Sequence, residues 1–399
     1  MLRGKTVVLG VTGSIAAYKT ASLSSMLVKQ HCDVHVIMTE NATNFIHPTA
    51  FETLTGNKCL VDTFDRNFQF HVAHVNLGQK ADIMMIAPAS ANIIGKLAHG
   101  IADDMLTTTA LACTCKIMVS PAMNVHMYEN AIVQDNLKRL ESFGMEVISP
   151  ATGYLACGDT GAGKMPEPEV LYDYILRETA CSKDLKGKRV LITAGPTRES
   201  LDPVRFITNH STGRMGYALA RRAMLRGADV TLVSGPVSLD PVPFVKMVSV
   251  VTAQDMFEAV RDHLEGCDIL IKSAAVADYR PANVSDEKVK KTEGDMVIPL
   301  ERTKDILAYV GTHKRTDQIV CGFSMETRNM LENSRKKLAK KNLDLIVANN
   351  LKEEGAGFGT PTNRVTLISR DDEIALPLMS KEEVSDQILD YILHMKQSC

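Results

Sequence analysis

Gly187 to Val233 reads GKRVLITAGPTRESLDPVRFITNHSTGRMGYALARRAMLRGADVTLV, and it repeats the pattern of residues 4 to 38, GKTVVLGVTGSIAAYKTASLSSMLVKQHCDVHVIM. Each copy leads with Gly-Lys, continues in a β-branched run, turns on Thr, Gly, Ser or Pro, and passes through an amphipathic helical stretch. A second apolar run closes each copy, entered by Cys-Asp-Val or Ala-Asp-Val. This is the βαβ opening of a nucleotide-binding sheet, written twice. The second copy is 13 residues longer between its leading Gly and that Asp, and the excess falls in Pro196 to Gly213. Chemistry particular to the second half is expected there.

With 399 residues and 45% hydrophobic content, the chain exceeds one ordinary core and has material for two, in line with the repeat. A net charge of -2 at pH 7 supplies no global basic field, so nucleic acid is not an expected partner. The nine cysteines are odd in number, scattered from Cys32 to Cys399, and include no CxxC pair. They read as reduced thiols of a cytoplasmic protein. Arg3 and Lys5 before an apolar run mimic a signal peptide, but Gly10, Thr12 and Gly13 interrupt the run and Lys19 follows. No apolar run reaches membrane-spanning length.

In the first half, residues 6 to 11 (TVVLGV) predict a buried strand, and Thr12-Gly13-Ser14 turns it into a helix with Ile15, Leu23 and Leu27 at helical spacing. Backbone amides at such a helix start suit a cofactor phosphate, although a plain strand-to-helix turn explains TGS as well. The next strand, Val34 to Met38, ends in Thr39-Glu40-Asn41, polar groups at an edge where ligands of α/β sheets collect. Strands Asp82 to Ala87 and Lys116 to Val119 run into Pro88-Ala-Ser-Ala-Asn92 and Ser120-Pro-Ala-Met-Asn124. Two amides can thus meet at one sheet edge, and turn chemistry accounts for Pro and Asn there equally well. Ile94, Leu97, Ala98 and Ile101 mark one face of a helix that stops near Gly100. His71 and His74, three apart in HVAH, suit metal ligation or a structural role, with general-base work also open to His74. Residues 151 to 168, ATGYLACGDTGAGKMPEP, contain four glycines and two prolines and predict a loop or lid. Cys157 on such a flap favours a chemical role, for instance proton donation, over packing.

In the second half, Ser182 to Lys188 predicts a charged linker. After the strand RVLITAG the inserted loop carries Arg198, Asp202, Arg205, Asn209, His210 and Ser211, and Gly213 precedes a helix with Met215, Leu219 and Met224 on its apolar side. Two Arg and an Asn-His-Ser-Thr-Gly exit can hold an anionic substrate against the helix start. Val245 to Val251 predicts a strand, followed by a helix capped by Thr252 with Asp255 at its third position. Asp268 to Ser273 (DILIKS) predicts another strand, extended at its edge by Ala274-Ala-Val-Ala-Asp278. Lys288-Val-Lys-Lys291 and Met296 to Leu300 predict an exposed hairpin about Glu293-Gly-Asp. Its lysines serve as edge protection or neutralise a triphosphate. Thr303 is the expected cap of the helix KDILAYV. Lys337 and Lys341, four apart, share a helix face with Lys336 and Lys340 beside them, a pattern more often solvated than ligand-bound. The strand DLIVANN, a meander and a helix from about Lys381 complete the chain.

Together, GSIAAYK, HVNLG, PASAN, PAMNVHM and ACGDTGAGKMPE in the first half, and AGPTRESLDPVRFITNHSTGRMG, SAAVADYR, KVKK, GFSMET and KKLAKKNLDLIVAN in the second, form a specific set. On them the chain closely resembles the bifunctional bacterial coenzyme A biosynthesis family over nearly its whole length and in the same domain order. In that family a phosphopantothenoylcysteine decarboxylase is fused to a phosphopantothenate–cysteine ligase. The resemblance implies two Rossmann-like three-layer α/β domains: a flavoprotein-type decarboxylase over 1–181, a linker over 182–188 and a nucleotide-binding ligase over 189–399.

For the decarboxylase the resemblance implies FMN held at Gly13, Ser14, Thr39, Ser90 and Asn92. It assigns early proton movements to His74, the grip on the departing carboxylate to Asn124, and protonation of the enethiolate to Cys157. For the ligase it implies CTP with Mg2+ (or Mn2+), the metal ligands being unassigned. Phosphopantothenate is activated as an acyl-cytidylate and the amine of cysteine displaces CMP; the decarboxylase then converts the product to 4'-phosphopantetheine. The implied CTP site comprises Lys272, Ser273, Ala274, Asp278, Lys288, Lys304, Asp305, Ile306, Leu307, Phe323, Lys337 and Lys341. Lys288 would stabilise charge at the phosphoryl centre, while Arg205 and Asn209 would position the acyl intermediate. The implied partners are small molecules and further copies of the chain, a homo-oligomer through both domains, with neither nucleic acid nor membrane.

Three positions depart from the usual pattern: Ile93 follows PASAN where Thr is usual, Tyr128 follows PAMNVHM where Trp is usual, and GFSMET stands for GFAAET. None removes a catalytic group. Two other readings compete. A flavoprotein of the same architecture acting on another substrate, such as a peptidyl-cysteine decarboxylase or a prenyl-FMN synthase, is disfavoured by the PAMN segment and Cys157. A non-catalytic regulatory subunit is disfavoured by the presence of both His74 and Cys157.

Overall fold

Strand β1 (Thr6–Val11) is buried at all six positions in the computed structural model, as a parallel strand covered on both faces must be. The structure describes residues 1–64, 73–154, 158, 160–290, 296–326, 329–350, 357 and 359–397. Helix α1 (Ala17–Lys29) leads to β2 (Asp33–Met38), which pairs parallel to β1 from Thr6 opposite Asp33 to Val11 opposite Met38. Helices α2 (Pro48–Thr55) and α3 (Ala73–Lys80) precede β3 (Ile83–Ala89), which pairs on the other side of β1. Next come α4 (Ala91–Ala98), α5 (Met105–Ala112) and β4 (Lys116–Pro121). Helices α6 (Val125–Glu129) and α7 (Ala131–Ser142) then lead to the edge strand β5 (Glu146–Val147). A hairpin of β6 (Ala151–Tyr154) and β7 (Thr160–Lys164) and helix α8 (Pro168–Thr179) complete the unit Met1–Cys181.

The parallel sheet has the order β2-β1-β3-β4-β5, so the winding reverses between β1 and β3 and opens a crevice at their C-terminal ends. Thr12 stitches that point together: its hydroxyl donates to the Pro88 carbonyl at 2.7 Å and accepts from the Ser90 amide at 2.9 Å. Val8, Met84, Ile86, Ile94, Leu106 and Leu140 form part of the core under the sheet. Two sequence expectations change here. Ile15 lies ahead of α1 and is 60% exposed, so it is no part of that helix's buried face. Helix α4 ends at Ala98 because Gly100, with φ of 68°, reverses the chain. The Gly100 amide returns to Leu97 and the Ile101 amide to Lys96, a Schellman closure that leaves Ile101 exposed.

The second unit is Ser182–Cys399. Its first residues pack on it: Leu185 is fully buried and its amide donates to the Arg226 carbonyl. Strand β8 (Arg189–Ala194) enters the long insertion, within which β9 (Arg198–Ser200) and β10 (Phe206–Thr208) pair as a hairpin. Then come α9 (Arg214–Leu225), β11 (Asp229–Ser234), β12 (Lys246–Ser249), α10 (Ala253–Leu264) and β13 (Ile269–Lys272). Strand β14 (Tyr279–Pro281) pairs antiparallel with β15 (Leu300–Arg302). Helix α11 (Ile306–His313), β16 (Ile319–Glu326), α12 (Met330–Lys340) and β17 (Leu345–Asn350) continue the sheet. The short strands β18 (Thr362–Asn363), β19 (Thr366–Ile368), β20 (Glu373–Ala375) and β21 (Met379–Ser380) precede helix α13 (Lys381–Gln397).

The main sheet runs β12-β11-β8-β13-β16-β17, all parallel, with β19 and β20 added antiparallel at the edge. By chain order the parallel strands read 3-2-1-4-5-6, the Rossmann arrangement, with its crevice between β8 and β13. Gly216 brings α9 hard against β8, since a Cβ there would lie 2.5 Å from that of Ala194. Capping follows the sequence at α10, where Thr252 and Asp255 form a reciprocal box. It differs at α11: Asp305 is the cap, accepting from the Ala308 amide at 3.1 Å. Thr303 instead donates to the Ala277 carbonyl at 2.6 Å. The expected hairpin of Lys288–Lys291 with Met296–Leu300 is also revised, because Leu300–Arg302 pairs with β14 and Lys288–Lys290 are not in a strand.

Arg226, at the C-terminal end of α9 and 5% exposed, meets Asp184 and Asp390 at 2.7 Å each, while Arg222 meets Asp386 at 2.8 Å. Cations suit a helix C-terminus, and removal of this one strands carboxylates around a buried gap. The carboxylates are partly solvated, which softens the loss. Arg226→Met is expected to lower the stability of the second unit by about 2 kcal/mol, read as an earlier urea transition of that unit. An unmoved transition would show the network to be idle.

Candidate active sites

The first cleft, of about 450 Å3, opens at the C-terminal ends of β1 and β4, between the start of α1 and the β6–β7 hairpin. Ser14, Ile15, Tyr18 and Lys19 form one wall, Met123 and Asn124 the floor, and Tyr154, Gly163 and Met165 the far side. Asn124 caps α6, its Oδ1 accepting from the His126 amide at 2.8 Å, which holds the carboxamide at the cleft. The Ser14 hydroxyl accepts from the Ala16 amide at 3.3 Å. Helix α1 has no side-chain cap at Ala16, and in its first turn the Ala17 amide donates to the Ser14 carbonyl and the Lys19 amide to the Ala16 carbonyl, both at 3.0 Å. Lys19, 5% exposed, donates to the Met165 carbonyl at 3.0 Å and to Glu167 at 2.9 Å, tying α1 to the exit of the hairpin. Lys19 in turn holds the Glu167 carboxyl below its usual range.

The second cleft comprises two adjoining cavities of about 360 and 340 Å3 that share Lys272, Val276, Asp278 and Lys337. Lys272 stands at the end of β13 and donates to the Ala274 carbonyl at 2.8 Å. Burial, and then the charges of Lys337 and Lys341, push its ammonium down to about 8 against the opposite pull of Asp278 and Asp305. Lys337 donates to the Phe323 carbonyl at 3.1 Å, and Lys341 meets Asp305 at 2.8 Å. Burial alone would raise the Asp305 carboxyl, but Lys341 and the Ala308 amide hold it below the usual range. Lys304 lies over the Phe257 ring, 4.8 Å from its centroid. The floor is pinned from beneath: Thr193 and Thr197, both fully buried, accept from the amides of Ala274 and Ala277. Asn209 adds a bond from its Nδ2 to the Ala275 carbonyl at 2.9 Å.

Residues 1–180 match the Flavoprotein family model, and residues 185–395 match that of the DNA/pantothenate metabolism flavoprotein C-terminal domain. The coenzyme A biosynthesis bifunctional protein CoaBC of Bacillus subtilis (strain 168) is 49% identical over 396 residues, 98% of this chain and 97% of its own. The chain belongs to the bifunctional coenzyme A biosynthesis family. The protein of the same name from Escherichia coli (strain K12) is 44% identical over 395 residues, again 98% of this chain and 97% of its own. A crystal structure of the C-terminal domain of such a protein is 47% identical, covering 55% of this chain and all of its own, with a TM-score of 0.47. As a member of the bifunctional family, the chain is a ligase and a decarboxylase of coenzyme A biosynthesis.

Within this family member, Ser14 and Asn124 line the first cleft. Gly13 sits beside them, where a Cβ would press on Asn41 at 3.1 Å. Ser90 caps α4 by accepting from the Ile93 amide at 3.5 Å, and Asn92 is exposed on that helix. The Thr39 amide bonds the Val11 carbonyl, and its side chain makes no cap on the turn that follows. His74 lies near the start of α3, which packs against α5, and does not line this cleft. Cys157 and His71 fall outside the described residues. Among the described residues no group of three or more His, Cys, Asp and Glu is placed to hold a metal, and no helix is long and apolar enough to cross a membrane. Cys32, Cys59 and Cys267 are buried free thiols pushed up to about 11, 12 and 11 by desolvation, which marks them as packing groups.

In the second cleft the structure brings together Lys272, Ser273, Ala274, Asp278, Phe323 and Lys337, with Lys304 to Leu307 and Lys341 on one side and Asn209 on the other. Lys337 in α12 and Lys341 just after it both line the cavity, while Lys336 pairs with Glu332 at 2.6 Å. Arg205 and Lys288 do not line it. The Arg205 guanidinium grips Asp202 at 2.6 and 3.0 Å and reaches the Val289 carbonyl at 2.9 Å. Asp202, which also accepts from the amides of Val204, Arg205 and Val289, is held well below the carboxylate range by Arg205 first. Lys288 is exposed beside that anchor. Thr193, Thr197, Lys19, Arg214 and Lys381 escaped the sequence reading; buried Thr at a strand end, which demands a partner, was the available signal for the first two.

Proposed function

We propose that the first cleft holds FMN and removes the cysteine carboxylate of phosphopantothenoylcysteine, and that the second uses CTP to join cysteine to 4'-phosphopantothenate. One contrast supports this: of two switch-point clefts, one has apolar walls of Ile15, Met123 and Met165 beside a fixed carboxamide, and the other gathers Lys272, Lys337 and Lys341 around Asp278. The first has chemistry that suits FMN, because its apolar walls suit a planar ring and the Ser14 side chain and Asn124 carboxamide bring polar groups to its rim. A bound flavin supplies the electron sink for loss of carbon dioxide. Asn124 donates its amide N–H to the departing carboxylate, already oriented by its own helix cap. His74 moves the early proton and Cys157 returns one to the product carbon. Since His74 lies off the cleft within one chain, its role calls for a second copy that brings α3 to the site, in keeping with a homo-oligomer.

In the ligase, Lys272, Lys337 and Lys341 neutralise the triphosphate, and Mg2+ (or Mn2+) arrives on its oxygens. A carboxylate oxygen of phosphopantothenate bonds to the α-phosphorus, pyrophosphate leaves, and the cysteine amine then displaces CMP. Asn209, fixed to the Ala275 carbonyl, holds the acyl group. Lys288 and Arg205, joined through Asp202 and Val289, act if their loop closes on the cleft. The test is a visible spectrum of the purified chain, followed by incubation with phosphopantothenate, cysteine and each nucleoside triphosphate in turn. Flavin absorbance, and pyrophosphate release strongest with CTP, are expected. A preparation that keeps no flavin after reconstitution and releases nothing with CTP would overturn the proposal.

A further inference from the structure

We infer that Met84, Cys113 and Cys115 form a binding site for a soft monovalent metal ion, with Cu(I) the species their three sulfurs select. The site lies apart from both clefts. Helix α5 ends at Ala112 and β4 begins at Lys116, so Cys113-Thr114-Cys115 is the turn into the sheet's N-terminal edge, whereas the first cleft opens at the C-terminal edge. Backbone bonds fix that turn: the Cys113 amide donates to the Ala110 carbonyl and the Thr114 amide to the Gly78 carbonyl, both at 3.3 Å. Gly78 lets α3 lie against it, since a Cβ there would come within 2.8 Å of the Ala112 backbone. Both cysteines pack against the core cluster that contains Met84. Met84, opposite Ile117 in the register of β3 and β4, is fully buried.

Three sulfurs converge on one proton. The Cys113 thiol donates to the Met84 Sδ at 3.5 Å. It is also hydrogen-bonded to Cys115, which pushes Cys113 up and holds the Cys115 thiol below its usual range. A cation with a filled d shell, placed where that proton lies, meets two thiolates and a thioether, the soft donor set that selects Cu(I). Zinc is a poor rival, because it takes four donors drawn from thiolate, imidazole and carboxylate, and the charged groups nearby are engaged elsewhere. Asp82, which acts on Cys115, accepts from Lys5 at 2.9 Å and from the Thr6 amide at 2.8 Å. Lys116 meets Glu146 at 2.7 Å and Glu178 at 3.0 Å. On binding, Cu(I) bonds to both cysteine sulfurs and to the Met84 Sδ, the S–H bonds break and their protons pass to solvent. No atom changes oxidation state, and affinity rises with pH because protons are released.

The test is competition for Cu(I) without oxygen, the full chain withdrawing the ion from its coloured bathocuproine disulfonate complex. The parent should withdraw a single Cu(I) tightly and show sulfur-only coordination by X-ray absorption. Cys113→Ser and Cys115→Ser, each checked for an unchanged urea transition, should weaken that binding by about tenfold or more, since even loss of a hydrogen-bond partner of a metal ligand costs that much. Met84→Leu nearly conserves volume in the core, so it tests the thioether with the fold intact; it should weaken binding and lower the number of sulfur neighbours. Parent-like affinity in Met84→Leu or in either cysteine variant would overturn the inference. So would nitrogen or oxygen among the ligands of the ion bound to the parent.

Discussion

Replacing Asn124 by Asp is expected to cut decarboxylation by about a thousandfold while the first unit stays folded and keeps its flavin. The substitution separates two roles that share one side chain. Asp is as good a helix cap as Asn, so the bond to the His126 amide, and with it α6, survives. What disappears is the amide N–H, and what replaces it is a second negative charge where the substrate carboxylate must sit. Loss of one oriented donor costs about 10²–10³ in turnover, and like-charge repulsion adds to it. Asn124→Ala would also remove the cap, worth about 1 kcal/mol, and would confuse the two effects. The measurement is single-turnover carbon dioxide release at saturating substrate, alongside the flavin spectrum. Activity within tenfold of the parent would show that the carboxamide is only a cap.

Lys272→Met should weaken CTP binding about a hundredfold and leave decarboxylation intact. Lys272, like Lys337, lines both ligase cavities, and the charges of Lys337 and Lys341 act on it. In the free protein its charge is therefore disfavoured, and Met, of similar length, removes that repulsion, so the second unit should be no less stable at pH 7. A bound polyanion inverts the balance, and the lost charge-assisted contact is worth about 2–3 kcal/mol. The pH dependence has a definite sign. A lysine with its pKa lowered to about 8 is partly deprotonated above that value, so binding takes up protons near pH 8 and affinity falls as pH rises through it. Calorimetry in two buffers of different ionisation enthalpy reads this directly. Proton uptake that is unchanged in Lys272→Met would assign the titration to another group.

Much of this was legible in the chain as written. The duplicated βαβ opening marked both sheets because a strand buried on both faces leaves an uninterrupted apolar run, as in Thr6–Val11 and Val190–Ala194. The polar turn residues after those runs marked the strand edges where ligands gather. Capping was legible where both halves of the box were adjacent, at Thr252 and Asp255, and misread at α11. There two candidate caps stood two residues apart, and only the contact of Thr303 with Ala277 showed which was free to cap. The 288–300 hairpin was misread for a related reason, since alternation says that a segment is extended but not which strand it joins.

Local sequence by itself determined where strands and helices begin and that there are two sheets, because burial period and turn chemistry act over a few residues. Only the tertiary structure decided which charges share a cavity. Spacing alone did not separate Lys337 and Lys341 from Lys336 and Lys340 until α12 was set against β16, and the grip of Arg205 on Asp202 was not legible in the chain. Arg214 and Lys381 stand 167 positions apart in the chain, and no local rule relates them. Strand order and helix docking place them across one space, and the field between two charges depends on that distance through space rather than on their separation along the backbone.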